Sequence, residues 1–71
     1  MKELATDLEV GRMKDATLQT QVSVRGGNIV IGYQNTATMR GFEVGYSPQA
    51  IQQFREILAA AYSVAIGKGL G

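Results

Sequence analysis

The side chains with the clearest capacity for chemistry are four basic residues in the middle of the chain: Arg12, Lys14, Arg25 and Arg40. Together with Asp15 and Glu43 they give residues 11–46 a formal net charge of +2. The planar fork of arginine suits contacts to phosphate groups and bases, so this region is expected to contact anions. The electrostatic signal is weak, because the whole chain carries only +1.

Catalytic and metal chemistry have little support in the residue types present. The chain contains no histidine and no cysteine, which excludes Ser-His-Asp and Cys-His catalysis, zinc sites built on Cys or His, and disulfides. The acidic residues show no spacing that would place two carboxylates over one pocket. The glycine-rich GKGLG at 67–71 precedes no helix and does not indicate a phosphate-binding loop. We therefore expect no enzyme activity, no catalytic residues, no metal and no cofactor.

The clearest element is a C-terminal helix, predicted over residues 48–66. Ser47 is a suitable N-cap, and Pro48 occupies the first helical position, where its missing N–H is not needed. Gly67 is predicted to follow the last helical residue, so that 67–71 form a tail. Apolar residues recur with helical spacing at Ile51, Phe54, Leu58, Ala61 and Ala65.

The second half of this helix, residues 57–66, is apolar or small nearly all round. A helix of this kind must be buried on more than one side, and a chain of 71 residues has little material to cover it. We predict that this segment forms the interface of a homodimer or higher oligomer, with the contact residues Ile57, Leu58, Ala61, Tyr62 and Ala65. The alternative is that the alanines only reflect helix propensity.

Segments with period-2 alternation precede the helix. Residues 18–25, 28–34 and 40–46 alternate apolar side chains with polar side chains or glycine, and residues 8–13 are a candidate fourth strand with Gly11 at a bulge. The pattern predicts a single α+β domain, with an antiparallel sheet of three to four strands across residues 8–46 followed by one long helix.

The connections differ in character. Gly26-Gly27 is predicted to form a tight hairpin turn, where positive φ is favourable for glycine. Residues 35–39, NTATM, are predicted to be a mobile loop, and residues 1–7 to be a frayed segment or a short helix.

One face of the predicted sheet is apolar and is expected to pack on the helix. The opposite face is polar, low in charge and short in side chains; it carries Gln19, Gln21, Ser23, Arg25, Gly32, Gln34, Gly41, Glu43 and Gly45. Glycine within a strand often marks the close approach of a ligand or another backbone. The same face is equally compatible with an ordinary solvated surface on which glycines ease the strand twist.

Three segments carry a family resemblance: VGRM at 10–13, VSVRGGNIVIGY at 22–33, and MRGFEVGYSPQAIQQFREIL at 39–58. In this order of strands and helix, the chain resembles the positive cofactor four and Whirly-like group of single-stranded-DNA-binding proteins over residues 8–62. The resemblance implies a homodimer whose helices pack together and whose sheets hold single-stranded nucleic acid. Arg12 and Arg40 match basic residues of the family pattern, and Arg25 lies at the hairpin where the family binds DNA.

The combined interpretation is a non-catalytic, sequence-tolerant homodimer that binds single-stranded DNA, with RNA as a possible ligand. The predicted binding residues are Arg12, Lys14, Arg25, Arg40, Gln21, Gln34 and Tyr33. Tyr33 and Tyr46 are candidates for base stacking, although their phase with aliphatic neighbours also suits a core position. The alternative function is a small dimeric interaction or regulatory module that binds protein and no nucleic acid.

The expected location is the cytoplasm. No signal-peptide pattern stands at the N-terminus, and the longest apolar run, residues 57–66, is shorter than the roughly 20 residues that span a bilayer.

Overall fold

The computed structural model describes residues 8–67. Its elements are four strands followed by one helix: β1 (Leu8–Asp15), β2 (Leu18–Arg25), β3 (Asn28–Asn35), β4 (Arg40–Tyr46) and α1 (Pro48–Gly67). The strands form one antiparallel sheet in the order β1-β2-β3-β4. The predicted α+β architecture is confirmed. The predictions for residues 1–7 and for the tail beyond Gly67 lie outside the described residues.

Strand register sorts the side chains onto two faces. Val22 of β2, Ile31 of β3 and Val44 of β4 stand opposite one another. Because side chains alternate along a strand, their face, the apolar face, also carries Met13, Thr20, Val24, Ile29, Tyr33, Phe42 and Tyr46. The other face, the polar face, carries Glu9, Arg12, Lys14, Gln19, Gln21, Ser23, Arg25, Val30, Gly32, Gln34, Gly41, Glu43 and Gly45.

Two of the connections are two-residue hairpin turns. Gly26 and Gly27 have φ of 61° and 84°, so the predicted glycine turn between β2 and β3 is confirmed. The turn between β1 and β2 consists of Ala16 and Thr17, and Ala16 has a φ of 55°.

The connection between β3 and β4, for which a mobile loop was predicted, is a hydrogen-bonded turn; its mobility stays a prediction. The side-chain Oδ1 of Asn35 accepts hydrogen bonds from the backbone N–H groups of Ala37 (2.9 Å) and Thr38 (3.1 Å). The N–H of Met39 donates to the carbonyl of Asn35, and that of Thr36 donates to the carbonyl of Thr17. Asparagine is favoured in turns because its side chain can bond to the backbone two residues further on.

The first strand is longer than predicted, because β1 runs to Asp15. Its register with β2 slips between Glu9 and Gly11, so Val10 and Gly11 together oppose one residue of β2. The bulge predicted at Gly11 is therefore confirmed. β3 likewise extends one residue past the predicted end, to Asn35.

Helix α1 begins as the sequence predicts. The hydroxyl of Ser47 accepts a hydrogen bond from the N–H of Ala50 at 3.2 Å, which is the expected N-cap contact. The helix ends at Gly67, one residue later than predicted, so Gly67 is itself helical and is not the residue after the end.

The helix covers only part of the apolar face. It contacts β3 and β4, and the ring of Phe54 stacks on that of Tyr46 with centroids 5.6 Å apart. Within the described part of the chain the buried side chains are Val30, Ile31 and Ser23, and no residue of α1 is buried. The core of a single chain is therefore very small.

Candidate nucleic-acid interface

Five of the seven predicted binding residues lie together on the polar face. Arg12 and Lys14 come from β1, Gln21 and Arg25 from β2, and Gln34 from β3, in a register that pairs Arg12 with Gln21 and places Gln21 beside Gly32. A shallow depression on this face is lined by Gln19, Gln21, Gly32, Gln34, Gly41 and Glu43, together with Tyr33 and Phe42. The side-chain amides of the three glutamines therefore surround Gly32 and Gly41.

The other two predicted residues do not share this surface. Tyr33 pairs with Thr20 and Phe42, and Arg40 pairs with Asn35, which assigns both to the apolar face. The rings of Tyr33 and Phe42 lie 5.4 Å apart at their centroids. A single track through all four cations is therefore not formed within one chain, and the ring of Tyr33 packs against that of Phe42 at the border of the depression.

Arg12 is held by a carboxylate on its own strand. Its Nε donates to Oε2 of Glu9 at 2.8 Å, and its Nη2 donates to Oε1 at 2.9 Å. Gln21 adds a hydrogen bond from Nε2 to Oε1 of Glu9 at 3.2 Å. The hydrogen bond from Arg12 lowers the pKa of the Glu9 carboxyl, and the same contact raises the pKa of Arg12. Both groups are exposed and are charged at neutral pH.

Arg25 makes a second ion pair, this time across the sheet. Its Nη1 and Nη2 donate to Oε2 and Oε1 of Glu43, each at 3.3 Å. The two residues belong to β2 and β4, so the pair spans the intervening strand β3. Both side chains remain about half exposed, at 46% and 54%.

The positions of the polar face that carry glycine differ in whether the structure requires glycine there. A Cβ at Gly41 would lie 2.2 Å from the carbonyl oxygen of Tyr33, so the close approach of β3 requires glycine there. At Gly32 and Gly45 a Cβ would meet other atoms only at 3.8 Å or more. Packing within the chain therefore explains Gly41 but leaves Gly32 and Gly45 without a structural requirement for glycine.

Sequence reasoning missed the carboxylates as part of the site. Glu9 and Glu43 each bind an arginine that was predicted to contact nucleic acid. The alternation alone places Glu43 and Arg25 on the same face, but their contact depends on the register of three strands. The hairpin turn at Gly26-Gly27 was the one signal that could have fixed half of that register.

The predicted interface residues of α1 are exposed in the single chain. Ile57, Leu58 and Tyr62 are 64%, 52% and 65% exposed, and Ala61 and Ala65 are also exposed. Leu58, Ala61 and Ala65 continue the apolar stripe of Ile51 and Phe54 beyond the part of the helix that meets the sheet. The homodimer remains a prediction.

Residues 8–67 contain no cluster of three or more potential metal-ligating carboxylates, histidines or cysteines. Over the same range no helix is both long enough and apolar enough to cross a membrane. No protein-family model matches this chain, and no curated protein or solved structure matches it either. The resemblance drawn from the sequence therefore stays a prediction.

Proposed function

We propose that this chain is a non-catalytic protein that binds single-stranded nucleic acid on the polar face of its sheet and acts as a homodimer. The observation that carries the proposal is the separation of the two faces. Apart from Val10 at the bulge and Met39 in the β3–β4 turn, the large exposed apolar side chains lie on the apolar face and on α1, so a partner copy can cover them while the polar face stays open.

The shape of the chain supports the homodimer. Its radius of gyration is 14.8 Å, compared with about 11 Å for a compact domain of this length. Its exposed surface is 5242 Å², compared with about 4300 Å² for a compact monomer of this mass.

The chemistry of the polar face supports an extended anionic ligand. Arg12, Lys14 and Arg25 supply groups for phosphate contacts, and the amides of Gln21 and Gln34 can donate to or accept from any base edge. The small residues Ser23, Gly32 and Gly45 do not project from the polar face, which leaves room for an extended nucleic-acid strand. Tyr33 and Phe42 belong by strand phase to the apolar face and only border the depression on the polar face, so we expect phosphate and amide contacts to provide most of the affinity.

The proposal is tested by titrating a fluorescent oligo-dT, and a duplex of equal length, with the protein at low salt. We expect retention of the single strand, with affinity falling by about 0.7 log units per log unit of salt for each phosphate contacted. The double variant R12E/R25E should abolish binding while the thermal unfolding temperature changes little, because both ion pairs are exposed. The control R40E, with half the change in net charge, alters the opposite face and should retain most of the affinity.

Two results would contradict the proposal. Wild-type protein that does not retain oligo-dT at low salt removes nucleic-acid binding altogether. A loss with R40E as large as that with R12E/R25E places the binding surface elsewhere.

A second candidate is a dimeric module that presents its polar face to another protein. The ion pairs favour this candidate. The three cations of the polar face are opposed by the carboxylates of Glu9 and Glu43, so the formal charge of that face is only +1. A protein partner needs no strong positive field. Absence of any interaction with oligo-dT, together with a dimeric mass in solution, would support this candidate over the first.

A further inference from the structure

The Arg25–Glu43 pair lies over the most buried part of the polar face. Ser23 and Val30, which are 9% and 8% exposed, line one depression together with Gly32 and the two members of the ion pair. Val30 pairs with Ser23 on one side and with Gly45 on the other. The Arg25–Glu43 pair thus links β2 to β4 across β3, at the part of the polar face where the residues beneath it are buried.

Both arginines of the polar face already hold a carboxylate in a bidentate arrangement. Arg12 engages both oxygens of Glu9, and Arg25 engages both oxygens of Glu43. A guanidinium fork matches the geometry of a carboxylate and of a phosphate in the same way, so the two anions compete for the same donors. Exposed pairs of this kind are weak and can be displaced.

We propose that Glu43 and Glu9 are intramolecular competitors of the ligand's phosphate groups. Each phosphate that binds Arg25 or Arg12 displaces a carboxylate, and opening of the Arg25–Glu43 bridge uncovers Val30, Gly32 and Gly45 as the floor of the binding surface. This inference rests on the proposed nucleic-acid function and assigns to it two residues that lower its affinity.

The salt dependence of binding separates this role from a general charge effect. When a phosphate replaces Glu43 on Arg25, the released carboxylate takes up a cation, which offsets part of the cation release from the nucleic acid. Removal of the carboxylate abolishes that uptake. The log–log salt slope should therefore become steeper, by at most about 0.7 for each arginine concerned.

The test compares E43Q and E9Q with E56Q, each titrated against oligo-dT at several salt concentrations. Glu56 lies on α1 and makes no ion pair within residues 8–67, so E56Q has the same change in net charge without removing a carboxylate that an arginine of the polar face contacts. We expect E43Q and E9Q each to raise affinity about two- to fivefold and to steepen the slope. E56Q should raise affinity less and leave the slope unchanged.

Each outcome decides between the two proposals. If wild-type protein does not bind oligo-dT, the proposed function fails. If wild-type protein binds and all three variants behave alike, the competition is overturned and the function stands. Thermal unfolding of E43Q checks that the sheet is intact; if it is not, E9Q on the fully exposed strand β1 decides the question alone, by the same comparison with E56Q.

Discussion

The two faces of this sheet come from the same four strands, yet only the polar face has its main interactions satisfied within the chain, while part of the apolar face stays uncovered. On the polar face, Arg12 and Arg25 each find a carboxylate. On the apolar face, α1 reaches β3 and β4 but leaves Met13 and Phe42 exposed at 66% and 65%. Charged groups can form ion pairs or be hydrated, whereas apolar surface lowers the free energy only when other protein atoms shield it from water. We therefore expect that, if copies of the chain associate, they do so through the apolar face and α1.

The largest effect is expected where the apolar surface is least covered. L58D should convert the proposed homodimer to a monomer, weakening association at least about 100-fold, because dimerisation would bury an unpaired charge. In a lone chain Leu58 is already 52% exposed, so the fold should tolerate the change. The measurement is solution mass by light scattering or sedimentation across a range of concentrations.

The matched control is Q52D, which places the same charge on the polar side of α1 and should leave the dimer intact. A dimeric L58D would show that the interface lies elsewhere. A monomeric wild type at high concentration would remove the dimer from the proposal.

A smaller effect separates two glycines within the polar face. G41A should lower the free energy of unfolding by about 1–3 kcal/mol, because its Cβ would meet the Tyr33 carbonyl at 2.2 Å and the strands must shift. G45A should cost nothing or add up to about 1 kcal/mol, because glycine is unfavourable within a strand and space is available. Urea unfolding of both variants measures the difference.

The same pair of variants also bears on binding. If G45A is as stable as the wild type but binds oligo-dT less tightly, Gly45 serves the ligand rather than the fold. Equal destabilisation by the two substitutions would contradict the assignment of different roles.

The smallest effect concerns the junction between the sheet and α1. S47A should lower the free energy of unfolding by about 1 kcal/mol, because the Ser47 hydroxyl caps the N–H of Ala50. S47D keeps a capping oxygen and should restore the loss. Thermal unfolding checks both variants, and an unaltered S47A would mean that solvent satisfies that N–H equally well.

Local patterns were sufficient to predict the elements of this fold. Alternation gave β2 and β4 with their observed bounds, Gly26-Gly27 gave the hairpin turn, and Ser47-Pro48 gave the start of the helix. Each of these signals spans only a few residues, and each depends on interactions between side chains and backbone groups that are close in the sequence.

Features that depend on distant residues could not be predicted in this way. The pairing of Arg25 with Glu43 requires the register of β2, β3 and β4 together. Arg40 and Tyr33 were grouped with the other binding residues by type, although their strand phase assigns them to the opposite face. The polar composition of residues 35–39 likewise does not reveal the hydrogen bonds accepted by Asn35 in this turn.

The bulge at Val10 bears on how far such chains could associate through their strand edges. A displaced residue interrupts the regular spacing of backbone donors and acceptors on β1, so the straight outer edge of the sheet is β4. Strand addition at a single edge joins two molecules about a two-fold axis and then has no further edge to extend. We therefore expect strand pairing between copies to favour closed pairs over filaments.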